Sequence, residues 1–191
     1  MRGNLVSRIL PAARIARQEM KLQRPIVITG FMGCGKSKVA RALARHLDVA
    51  VVDLDDVITA RHGRTPAQLI TEAGEPAFRS IESNTLRELL KTMQTGVIAL
   101  GGGAWIEETN RELIEQHGCS SVWLDVPFEV CWARIETSEE DRPLGRTREQ
   151  AKALYDRRQP TYQLATIHIQ GIVDEDLLDL ILRITKKLAA D

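Results

Sequence analysis

From residue 25 onward, short apolar runs alternate with segments of helical spacing. Pro25-Ile-Val-Ile-Thr29 is apolar and β-branched, as a strand buried on both faces requires. Similar runs recur at 49–53, 96–100, 120–125 and 166–170, which predicts five strands. Between the first two, Val39, Ala40, Leu43, Ala44 and Leu47 fall on one helical face behind Lys36. Further helices are predicted near 56–62, 66–93, 107–117, 127–136, 148–160 and 174–189, with Pro127 in the first turn of its helix. Such alternation implies an α/β fold with a parallel sheet covered by helices on both faces. Residues 137–147 carry charge without apolar periodicity and read as a flap or lid over the core. There is no internal repeat and no low-complexity tract, and no linker is long enough to divide the core.

At 191 residues the chain fits one domain with a substantial core. Lys+Arg and Asp+Glu number 26 each, so total charge points to neither a nucleic-acid nor a membrane partner. No apolar run approaches the ~20 residues of a membrane span. The three cysteines, Cys34, Cys119 and Cys131, are odd in number and lack C-x-x-C spacing, which fits a cytoplasmic, reducing setting. Charge is uneven along the chain. Residues 1–24 hold Arg2, Arg8, Arg14, Arg17, Lys21 and Arg24 against Glu19, a net +5 that leaves −5 for the remainder. This basic arm has Ile9, Ala13, Ala16 and Met20 at helical spacing and is expected to be a solvated arm or a short docking helix. Its Arg-rich, acid-poor composition is shared with transit peptides, but Pro11 and the scarcity of serine count against one.

Residues 30–37, Gly-Phe-Met-Gly-Cys-Gly-Lys-Ser, fit the phosphate-loop pattern G-x-x-x-x-G-K-[ST]. Glycines let successive N–H groups curl around an anion, and the helix behind presents its positive end. Gly33, Cys34, Gly35 and Lys38 belong to this cradle; Lys36 would reach the outer phosphates and Ser37 would offer a hydroxyl to Mg²⁺. Strand before and helix after are the context the pattern needs. In open parallel sheets ligands bind beyond the carboxyl ends of the strands. Asp53 and Asp55 close the second strand and Gly101-Gly-Gly103 closes the third, so three features are expected on one edge.

Each candidate has an ordinary alternative. A carboxylate of Asp53-Leu-Asp55-Asp56 could hold a metal's waters or accept a proton from a hydroxyl. Asp55 or Asp56 could equally be a helix N-cap. Arg79 and Glu82 are three apart on a predicted helix and read first as a surface ion pair, otherwise as a fork held to grip an anion. Gly101, Gly102 and Gly103 offer backbone donors or merely a flexible turn. Arg142 lies in the lid, and Arg158 near a helix C-terminus could be a dipole partner. Cys34 either fills space in the loop or, beside Lys36 and a helix N-terminus, is an activated thiol.

Taken together, the chain resembles shikimate kinases, of the nucleoside-monophosphate-kinase-like branch of P-loop proteins. The resemblance spans about residues 25–190 and rests on the phosphate loop, Val-Asp-Leu-Asp, Gly-Glu-Pro-Ala-Phe-Arg-Ser-Ile-Glu, Gly-Gly-Gly-Ala, Arg-Pro-Leu and Arg-Gln-Pro-Thr-Tyr, in that order. It implies a three-layer α-β-α P-loop kinase, a five-stranded parallel sheet of order 2-3-1-4-5 with a lid. The implied reaction moves the γ-phosphoryl of ATP to the 3-hydroxyl of shikimate, with Mg²⁺, in the route to chorismate and the aromatic amino acids. Arg79 and Arg158 would match the arginines on the shikimate carboxylate, and Asp55 the aspartate that holds ring hydroxyls and acts as base. Gly101, Gly102 and Gly103 would match the backbone segment facing shikimate. Asp53 would hold Mg²⁺ through water beside Ser37, Lys36 and Arg142 would face the transferring phosphoryl, and Arg134 would lie over adenine. The resemblance also implies a cytoplasmic monomer with ATP and shikimate as its partners.

Four departures concern lid motion and packing more than chemistry: Gly145 follows Arg142-Pro-Leu, Thr161 precedes Tyr162, Gln163 follows it, and Lys38 follows Ser37. Two rivals are a kinase of another small polyol, such as gluconate, and a kinase-like sensing module without turnover. Arg79 and Arg158 with Asp55 suit a cyclic hydroxy acid and oppose the first. Retention of Lys36, Ser37 and Asp53 opposes the second.

Overall fold

A computed structural model describes residues 24–138, 142–171 and 176–191. The basic arm, apart from Arg24, and residues 139–141 of the lid therefore lie outside the described residues. The five expected strands are present: β1 (Ile26–Thr29), β2 (Val51–Asp53), β3 (Val97–Ala99), β4 (Ser120–Asp125) and β5 (Ile167–Gln170). All pairings are parallel, in the order β2-β3-β1-β4-β5. β1 has every residue buried, which explains its unbroken apolar run, whereas edge strand β5 alternates buried and exposed positions. Ala99 pairs with both Ile28 and Asp53, so β1, β2 and β3 end level and deliver their following loops to one place.

The helices follow local signals. α1 (Lys36–Leu47) buries Val39, Ala40, Leu43 and Ala44, the face expected from spacing. α2 (Leu54–His62) begins earlier than expected, and its N-cap is Asp53, whose side chain accepts from the Asp55 N–H at 3.1 Å. Capping thus falls to neither Asp55 nor Asp56, and the Asp55 side chain is spared for the site. The segment expected as one helix over 66–93 is two, α3 (Pro66–Ala73) and α4 (Glu75–Thr92), broken at Gly74 with φ 85°. α3 starts with a full capping box in which Thr65 and Gln68 exchange hydrogen bonds, with Pro66 in the first turn.

A 3₁₀ turn (Ala104–Ile106) and α5 (Glu108–Gln116) follow β3. α6 (Phe128–Glu136) takes Pro127 as its N-cap rather than within its first turn, because Pro127 has an extended ψ of 144°. α7 (Arg148–Tyr162) is opened by a Thr147/Gln150 capping box and continues through Pro160. Arg158 therefore sits one turn inside the helix and not at its end. α8 (Leu177–Leu188) packs on α1 and β5. No helix among the described residues is long and apolar enough to cross a membrane.

Candidate active site

The phosphate loop is held open by its glycines and its lysine. Gly30, Gly33 and Gly35 adopt φ of 143°, 76° and 99°. A Cβ on Gly33 would stand 2.6 Å from the Cys131 carbonyl oxygen of α6, so only glycine lets loop and helix touch. Lys36 Nζ donates to the carbonyls of Gly30 and Phe31, each at 3.0 Å, which holds the ammonium across the loop. Gly35 has no side chain with which to cap α1, so the first N–H groups of that helix face the loop's interior. Arg134 Nη1 donates to the carbonyls of Gly33 and Cys34 at 3.1 and 3.3 Å. Ser37 is half-buried in the first turn and Lys38 is exposed. Cys34 is 4% exposed and packs under Gly30, which favours space filling over an accessible activated thiol.

Beside this loop lies a cavity of about 120 Å³. Its polar wall comprises Asp55, Arg79, Glu82, Gly101, Gly102, Gly103, Arg142 and Arg158. Pro66, Ala67, Ile70 and Phe78 supply an apolar wall, and Pro143 and Leu144 of the lid close over it with Leu154. Met32 of the phosphate loop lines the same cavity, so the two sites adjoin. Gly145 is buried, and its N–H donates to the Arg142 carbonyl at 2.9 Å. At Gly145 the lid is thus seated against Met32 and Ala151. Sequence reasoning missed the apolar wall from α3; the Thr65-Pro-Ala-Gln68 capping signal marks where α3 starts and Gly74 ahead of Pro76 marks where it ends, which together set that short helix apart.

The ion pair expected at the surface is interior. Arg79 Nη1 donates to Glu82 at 2.6 Å, with the two side chains 12% and 1% exposed, and Nη2 donates to Glu75 at 2.9 Å. Two carboxylates therefore fix one guanidinium, and a Cβ on Gly103 would collide with it. Arg158 is 7% exposed and donates to the Gly102 carbonyl at 3.1 Å. Burial works against its charge, and the nearby Arg79 adds repulsion. Two guanidinium groups thus line one small cavity, an arrangement suited to an anionic group.

The carboxylates show the complementary tension. Asp55 is pushed up to about 6, first by burial and then by Asp53, with Lys36 and Arg79 opposing. Glu82 rises to about 7 through burial, opposed by Arg79. Asp55 Oδ1 and Glu82 Oε1 are buried without a hydrogen-bond partner in the protein. Both flank Gly101, at 2.9 and 2.6 Å from where its Cβ would be. Buried acceptors of this kind call for donors.

The shikimate kinase family model matches residues 32–189. The chain belongs to the shikimate kinase family. A shikimate kinase of Cereibacter sphaeroides is 40% identical over 159 residues, covering 81% of this chain and 78% of that relative. One from Ruegeria pomeroyi is 34% identical over 171 residues, 88% and 86% of the two chains. Among solved structures, the Acinetobacter baumannii shikimate kinase in complex with shikimate aligns with a TM-score of 0.80 at 28% identity, covering 93% of this chain and 97% of that one. For a shikimate kinase, the sheet order β2-β3-β1-β4-β5 is the expected architecture.

Proposed function

We propose that the protein transfers the γ-phosphoryl of ATP to the 3-hydroxyl of shikimate, feeding chorismate and aromatic amino acid synthesis, as a cytoplasmic monomer. The observation that carries this reading is the convergence of Arg79, Arg158, Asp55 and Gly101–Gly103 in one cavity abutting the phosphate loop. A ring bearing a carboxylate and several hydroxyls matches that wall. The carboxylate relieves the repulsion between the guanidinium groups, and the hydroxyls donate to Asp55. A sugar acid such as gluconate is longer and flexible and loses more freedom on entering so small a space.

Phosphoryl transfer passes through a loose transition state, so position and charge matter more than a strong base. Arg79 and Arg158 fix the acceptor by its carboxylate, while Asp55 orients the reacting hydroxyl and takes its proton as the new O–P bond forms. Lys36 exchanges its loop carbonyls for phosphoryl oxygens, and lid Arg142 meets the same charge from the other side. Gly33, Cys34, Gly35 and Lys38 contribute backbone to the phosphates, and Arg134, held on the loop, flanks the nucleotide base.

The site's hard oxygen donors suit Mg²⁺. Ser37 presents a hydroxyl on the phosphate loop, and Asp53 has one oxygen on its cap and a second to hold a metal's water. Bound there, Mg²⁺ would neutralise phosphate charge. Release of ADP tests the assignment, measured with shikimate, quinate, gluconate or no acceptor, with and without Mg²⁺. Turnover should require both shikimate and Mg²⁺. Equal turnover with gluconate, or none with any acceptor, would overturn it.

A further inference from the structure

Of the segment Arg158-Gln-Pro-Thr-Tyr162, the reaction as described uses only Arg158. Tyr162 lies one turn further along α7, on the same face. It is 0% exposed, and its ring stacks on Trp123 of β4 with centroids 6.2 Å apart and 22° between planes. Its hydroxyl donates to the Gly102 carbonyl at 2.6 Å, the oxygen that also accepts from Arg158 at 3.1 Å. Both lone pairs of that oxygen are thereby engaged. Trp105 Nε1, on the turn just after the glycines, donates to the Thr161 carbonyl at 2.9 Å. The end of α7 and the glycine segment are therefore joined at two points.

We propose that Tyr162 is a positioning residue for the acceptor, acting through the Gly102 carbonyl and Arg158. Gly101–Gly103 has no side chains with which to anchor itself, and glycine backbone is intrinsically free. The chain has no cis peptide among its described residues, so fixing the Gly102 carbonyl in a planar trans unit also fixes the direction of the Gly103 N–H. That N–H belongs to the strip facing shikimate in the reading above, on which this inference rests. The same carbonyl holds one corner of the Arg158 guanidinium and leaves the rest of its fork set for a carboxylate. Burial drives the phenol's ionisation far above neutrality, so it remains a donor throughout the working range.

Tyr162→Phe tests this, since it removes the hydroxyl and keeps the stacked ring. Loss of one such hydrogen bond corresponds to a rise of about fivefold in the shikimate KM. The ATP KM should stay within about twofold of the parent, because the hydrogen bond that is lost goes to the Gly102 carbonyl and not to the phosphate loop. A merely structural role would lower the melting temperature and shift both KM values together. The inference is overturned by a shikimate KM within about twofold of the parent, by parallel shifts in both substrates, or by a variant that does not fold. A parent protein that fails to phosphorylate shikimate would instead sink the functional reading, so the two failures are distinguishable.

Discussion

Arg79 is where shape matters more than charge. Its two nitrogens are occupied by Glu82 and Glu75, which hold the fork in one plane. Lysine keeps the charge and loses the plane. Arg79→Lys should raise the shikimate KM by roughly 10- to 100-fold, the loss of a charge-assisted hydrogen bond, with ATP KM unchanged. Steady-state kinetics with each substrate varied reads this directly, and an unchanged shikimate KM would refute the carboxylate role. Its partner Glu82 makes a second prediction. The Glu82 pKa rises from 4.5 to about 7 on folding, so between those values the folded chain holds a proton that the unfolded chain has lost. The contribution to stability is therefore fully present below about 4.5 and is lost as pH rises through 7. Urea denaturation between pH 5 and 8 should show Glu82→Gln with a shallower decline than the parent, by at most about 1.4 kcal/mol per pH unit. Parallel curves would show that Glu82 does not hold that proton.

Among the elements, the phosphate loop was the most legible in sequence because its demands are local. Positive φ needs glycine, and a strand before and helix after are visible as periodicity. The junction that positions the loop was not legible: Gly33 lies against the α6 carbonyl of Cys131, a contact 98 residues away in sequence that no local pattern encodes. Gly33→Ala should meet both a strained φ of 76° and that 2.6 Å approach. We expect a loss of roughly 1–3 kcal/mol and an ATP KM raised at least about tenfold, with a smaller effect on shikimate. Thermal melting and ATP titration would measure both, and a variant with parental ATP KM would show that the loop does not depend on this contact. The same distinction between local and tertiary signals accounts for other differences. Asp residues announced a cap, but that Asp53 caps while Asp55 lines the cavity is visible only once the helix start is placed at Leu54. Arg79 and Glu82 were visible as a pair, whereas their burial depends on α3 and the lid folding over them.

At the scale of the molecule, the parallel sheet and the site's location followed from alternation and from the edge rule for parallel sheets, whereas the strand order came from the resemblance to shikimate kinases, since no periodicity encodes which strands are neighbours. Division into arm and catalytic domain is a separate matter, because charge asymmetry shows a boundary in composition and not in dependence. Among the described residues the buried hydrophobic core begins at Ile26, the first residue of β1. The described tie next to the arm is Arg24 with Asp191, at 2.5 Å between side chains 44% and 23% exposed. Exposed pairs of this kind contribute about 0–1 kcal/mol. Lys36, Asp55, Arg79, Arg142 and Arg158 all belong to the segment from residue 25 onward. Deleting residues 2–23 should therefore leave kcat and both KM values within about twofold and change stability by less than about 1 kcal/mol. Net charge would move from 0 to −4, since five basic residues and Glu19 are removed, so the shortened protein should be retained more strongly by an anion exchanger. A tenfold fall in kcat/KM with unchanged melting would place the arm in the catalytic cycle and move the functional boundary toward the N-terminus. A fall in melting temperature of many degrees would make the arm part of the folded unit. Retained activity together with the altered elution is the outcome expected of an appendage that acts through its charge.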